Sequence, residues 1–162
     1  MMGRGGMFRV VVLALVLAAC VDGAEVGPVP PRVTQALQQI FPDPAMSEFF
    51  ATEAKAAKVA EIMLVRGGND YGSTSFDTDT RQSVIRINVA KSGSKSPTNL
   101  AHEIAHAAIF RQGCFNHGAR WLSYHMAIAQ RFEARFPGVA WSGRRPTENV
   151  AAKAARYPND RC

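Results

Sequence analysis

All four histidines of this 162-residue chain, His102, His106, His117 and His125, fall in one short stretch, and none occurs elsewhere. Two of them frame His102-Glu103-Ile104-Ala105-His106. Side chains four apart share one face of a helix, so this spacing brings both imidazoles to one ion only if the segment is helical. The flanking residues predict that helix. Ser96 suits an N-cap, Pro97 suits the first helical position, and Gly113 suits the left-handed residue that closes a helix, which gives Pro97 to Gln112. Leu100, Ala101, Ile104, Ala105 and Ala108 supply an apolar opposite side. The chain must therefore wrap a core around this helix while leaving its histidine face open.

The remaining pattern predicts what does the wrapping. Val33, Leu37, Ile40 and Phe41 recur at helical spacing, and Pro42 and Pro44 interrupt them. A second helix is expected from about Met46 to Val59, with Phe49, Phe50 and Ala57 in the core. The period then changes. Glu61–Val65 is a short apolar strand ended by Gly67-Gly68, Ser73–Asp77 is a second, and Ser83–Val89 alternates with β-branched residues as a third. Thr78-Asp79-Thr80 reads as the turn between the last two. A helix from about Gly118 to Phe136 stops at Pro137-Gly138, and a short one is expected at about Thr147 to Arg156. Trp121, Trp141 and Phe136 are expected in or around the core, and Tyr71 and Tyr124 are given no role. Helices, then a small three-stranded and mainly antiparallel sheet, then helices make an α+β fold. The length suits one domain.

A catalytic zinc needs three protein ligands and one open position. His102 and His106 supply two, and His117 and His125 compete for the third. Gly113 lets the chain turn back, which puts His117 at the entrance to the next helix. His125 lies about 12 Å further along that helix, at roughly 1.5 Å per residue. Glu103 follows the first ligand and can take a proton from water at the metal and pass it to a leaving amine.

The segment HEIAHAAIFRQGCFNHGARW resembles the core of the SprT-like metallopeptidases. In that family H-E-x-x-H is followed, after a short loop, by His-Gly-x-x-aromatic, matched here by His117-Gly118-Ala119-Arg120-Trp121. The resemblance spans roughly residues 45–135. It implies a zincin-type metal helix, a zinc ion on His102, His106 and His117, and Glu103 as the catalytic base. It also implies that extended substrate pairs with the strand before the metal helix, expected to be Ser83–Val89 acting as an edge strand. Several members carry a C-terminal zinc ribbon with paired cysteines, and with only Cys20, Cys114 and Cys162 present no such ribbon is expected here.

The N-terminal residues set the compartment. Arg4 and Arg9 precede an apolar run from Val10 to Ala19, too short to span a bilayer but suited to a secretory signal. Leu17-Ala18-Ala19-Cys20 resembles a bacterial lipobox, which implies cleavage before Cys20 and its acylation. In a bacterium with two membranes, Val21 rather than Asp at the next position implies sorting to the outer membrane. The expected organisation is a signal peptide over 1–19, a tether over 20–31 and a zinc peptidase domain over 32–162. The net charge of +6 includes Arg4 and Arg9, so about +4 is expected after processing. There is no Lys/Arg run with interleaved aromatics, so no nucleic-acid partner is expected. Of three cysteines, acylation of Cys20 leaves Cys114 and Cys162, which an oxidising compartment should pair.

The leading function is a peptidase in the cell envelope, acting on protein or peptide. A zinc amidase or endopeptidase acting on peptidoglycan is the second. A non-catalytic, zinc-braced lipoprotein is the third.

Overall fold

The computed structural model describes residues 27–139, 141 and 162. The signal, Cys20 and the helix expected at 147–156 lie outside them. Within them the order is α1 (Pro31–Ile40), α2 (Pro44–Ala56), β1 (Val59–Val65), β2 (Gly72–Asp77), β3 (Gln82–Asn88), α3 (Pro97–Phe110) and α4 (Ala119–Arg135).

The first two helices start two residues earlier than their apolar periodicity predicts, because each opens on a proline. Proline has its φ already near the helical value and no N–H to lose at a helix start. Pro44 therefore begins α2 rather than merely ending α1. Asp43 caps α2 by accepting hydrogen bonds from the N–H groups of Ala45 (2.8 Å) and Met46 (3.3 Å). The helix stops at Ala56, and Lys58 takes a left-handed φ of +57°, which turns the chain into β1 at Val59. Val59, expected to finish α2, thus begins the sheet.

The sheet is mixed, with order β1-β3-β2. β1 runs parallel to β3 and β2 antiparallel to it. This corrects two expectations: the sheet is mixed rather than mainly antiparallel, and Ser83–Val89 is not an edge strand. The reason is burial. β3 holds Ile85 and Ile87, both fully buried, and takes the centre. β2, Gly-Ser-Thr-Ser-Phe-Asp, is polar and goes to the rim, where unpaired backbone can be solvated. Gly67 and Gly68, at φ of +107° and +85°, allow the chain to leave β1 and return on the far side of β3. The tight connection from β2 to β3 is set by Asp77, whose carboxylate accepts from the N–H groups of Asp79 and Thr80.

The core lies between the inner sheet face and the helices. Phe50, Phe132, Ile85, Ile104 and Leu37 are buried at its centre. Trp141 is buried against it and Phe136 half-buried at its edge. A smaller cluster of Ala105, Ile109, Cys114, Trp121 and Leu122 joins α3 to α4 behind the histidine face.

Cys114 and Cys162 form the expected disulfide across 48 residues. The carbonyl of Cys162 also accepts from the Arg120 N–H at 2.6 Å, at the start of α4. Closing a loop of this length removes about 4 kcal/mol of unfolded-state freedom in the chain-entropy model. A Cys114→Ser, Cys162→Ser variant should unfold at a clearly lower denaturant midpoint than the oxidised protein, by about that free energy. Equal midpoints would show that the bridge contributes nothing.

Candidate metal centre

α3 presents its two histidines as the capping residues predict. The Ser96 hydroxyl accepts from the Asn99 N–H at 3.1 Å, and Pro97 occupies the first turn. Leu100, Ala101, Ile104 and Ala107 bury the opposite side of the helix in the core. His102 and His106 are left facing the turn between α3 and α4. That turn reverses at Gly113, which has a φ of +76°. The Asn116 side-chain oxygen then accepts from the Gly118 N–H at 3.0 Å, fixing the entry to α4.

This reversal brings His117 onto the α3 face. Its Nε2 lies 3.0 Å from Nε2 of His106 and 3.1 Å from Nε2 of His102. The three histidines are the one group among the described residues able to hold a metal ion, with one ligand atom each within 4.8 Å of the others. A zinc ion about 2.0–2.1 Å from each nitrogen would need them spaced about 3.3 Å apart. The two spacings to His117 Nε2, 3.0 and 3.1 Å, are close to that value. Burial, aided by the neighbouring His117 and His125, pushes His106 down to about 4. His106 is therefore neutral at pH 7, the form that binds a metal.

His125 does not join this group. It is buried behind Trp121, with ring centres 4.9 Å apart, and lies 6.0 Å from Trp141. It is nevertheless nearer the centre than its position along α4 suggests, with its ring 6.0 Å from that of His102. α4 crosses close to α3 here, so helical rise alone overstates the separation.

Trp121 does more than fill the interface expected of it. Its ring centre lies 4.7 Å from His102, 5.6 Å from His106 and 4.6 Å from His117. Its indole N–H donates to the His102 carbonyl at 3.3 Å. It thus forms a floor under all three imidazoles. His106 Nδ1 is buried with no hydrogen-bond partner among the described residues. Its ring is held by packing between Trp121 and Phe110.

Glu103 sits beside this centre, 4% exposed. Two residues that carry no sequence signal position it. The Thr74 hydroxyl contacts the Glu103 carboxylate at 2.7 Å and its backbone carbonyl at 3.0 Å. At Gly72 a Cβ would come within 3.1 Å of Glu103 Cγ and Oε1, so any larger residue would crowd the carboxylate. Burial raises the Glu103 carboxyl to about 7, against the Thr74 hydrogen bond and with a smaller push from Asp70. A general base works best with a pKa near the operating pH.

Asn88 is a third missed residue. Buried at the end of β3, it donates to the carbonyls of Gly67, Gly68 and Asp70, and so ties down the loop that delivers Gly72. A buried amide spanning so much chain is visible only once the fold is known. Tyr71 is exposed beneath Lys91, and the Tyr124 hydroxyl accepts from Gln112.

Comparison with known protein families, curated proteins and solved structures gives no match.

Proposed function

We propose that this chain is a zinc-dependent metallopeptidase of the cell envelope. The observation that carries the reading is the pairing of a three-histidine cluster with a buried carboxylate held beside it by Thr74 and Gly72. A metal kept only to brace the fold has no use for such a carboxylate, whose burial is costly. Zinc bound there would polarise a carbonyl and lower the pKa of water. His102, His106 and His117 would hold the ion, and Trp121 would fix their approach. Glu103 would accept a proton from water and pass it to the departing amine. The likeness of His102–Trp121 to the SprT-like pattern supports the same chemistry.

Substrate would lie along β2 rather than β3. In an antiparallel ladder, alternate residues turn their backbone groups towards the partner and away from it. Tyr71 accepts from the Asn88 N–H of β3, so Gly72, Thr74 and Phe76 turn theirs outward. An extended peptide can pair with such an edge, and Thr74 is the residue that holds Glu103. Digestion of an unfolded protein and of purified peptidoglycan tests the substrate class. Cleavage of the protein alone is expected; release of peptidoglycan fragments alone would move the activity to the cell wall.

The compartment follows from Leu17-Ala18-Ala19-Cys20. No helix among the described residues is long and apolar enough to cross a membrane, and an acyl group on Cys20 would supply the attachment. Mass spectrometry should find the mature N-terminus at a lipidated Cys20, and Cys20→Ser should abolish the modification. A mature chain starting at Glu25 without lipid would refute the anchor.

A further inference from the structure

Next to the three histidines the protein exposes an aromatic ridge that the chemistry above does not use. Phe115, in the turn between α3 and α4, is 66% exposed. Its neighbour Cys114 is buried and disulfide-bonded, so the backbone beneath this exposed ring is anchored. The Phe115 ring lies 5.2 Å from Phe110. Phe110 in turn lies 5.5 Å from the ring of His106 and 6.4 Å from Phe76 on β2. Phe76 and Phe110 are each only half-buried. One exposed phenylalanine is ordinary, but three adjacent rings, the middle one against His106, are a surface suited to an apolar partner.

We propose that Phe76, Phe110 and Phe115 form a selectivity subsite that seats an aromatic or bulky aliphatic side chain of an extended peptide, within two residues of the bond to be cleaved. This rests on the peptidase reading. The occupant follows from the edge of β2. Side chains directly opposite one another on paired strands share a face. Thr74 and Phe76 both face α3, Thr74 against Glu103 and Phe76 against Phe110. A substrate residue opposite Phe76 therefore points its side chain at the ridge. Thr74 and Phe76 are two residues apart, about 7 Å along a strand, which sets the distance from the reacting centre.

Two peptide hydroxamates, differing only in phenylalanine or alanine next to the metal-binding group, test this by calorimetry on the zinc-loaded protein. A peptide-library digest runs beside them. The wild type should bind the phenylalanine probe at least about 10-fold more tightly, the scale of one well-seated apolar group. Phe115→Ala should cut that preference about 5-fold or more, with zinc content and circular dichroism unchanged, and Phe115→Leu should restore most of it. Equal affinity for the two probes, or a preference untouched in Phe115→Ala, overturns the subsite. Cleavage without enrichment of large apolar residues near the cut also overturns it and leaves the peptidase reading standing. Preferential binding dependent on Phe115, with no hydrolysis of any peptide, keeps the seat for a large apolar side chain but removes the peptidase reading and, with it, the placement beside a cleaved bond.

Discussion

Glu103→Gln should lower peptide hydrolysis by about 10²–10⁴-fold, the usual contribution of a positioned general base, while the protein still binds one zinc ion. The substitution is nearly isosteric. Its remaining carbonyl oxygen can keep the hydrogen bond from Thr74, and its size suits the space left by Gly72. It also removes the cost of burying an ionisable group, since Glu103 is 4% exposed and its carboxyl is raised to about 7 mainly by that burial. The variant should therefore be at least as stable as the parent. Loss of hydrolysis in a protein that melts no earlier and holds the same zinc separates chemistry from folding. Undiminished hydrolysis would take the base role away from Glu103.

His117→Ala should weaken zinc binding by more than the roughly 10–100-fold seen when a residue supporting a ligand is lost, and abolish hydrolysis. His117 Nε2 lies 3.0 and 3.1 Å from the other two ring nitrogens, and its removal leaves only the pair on α3. His117 is exposed in a turn, and its replacement by alanine should disturb the fold little. His125→Ala is the control with the opposite pattern. That ring is buried between Trp121 and Trp141, so its loss should lower the melting temperature while leaving zinc at one per chain. Competitive titration against a chromophoric chelator measures both. Zinc lost from the His125 variant and kept by the His117 variant would reassign the third ligand and remove the main support for the SprT-like likeness.

The parts of this site that were legible in the sequence are those fixed by local rules. Ser96 and Pro97 announce the start of α3, and the spacing of His102 and His106 sets their common face. His117 was reachable because Gly113 reverses the chain close to the helix end. What local rules did not reach depends on neighbours distant in sequence. Strand propensity found β1, β2 and β3 but says nothing about which lie side by side. The central place of β3 follows from burying Ile85 and Ile87 within the assembled layers. Thr74 meets Glu103 across 29 residues and Asn88 reaches Gly67 across 21, and neither residue type signals such a partner. The nearness of His125 to His102 was missed for a related reason. Rise along one helix measures distance along its axis, whereas the crossing of α3 and α4 decides what meets between them.

If His102, His106 and His117 hold a zinc ion that, with Glu103, cleaves peptide bonds, cleavage of an unfolded protein by the purified chain depends on the metal. Chelated, metal-free protein should be inert, and one equivalent of zinc should restore cleavage in the parent but not in Glu103→Gln. Cleavage that survives chelation, or a parent that binds a full equivalent of zinc and cuts no peptide bond, would contradict it.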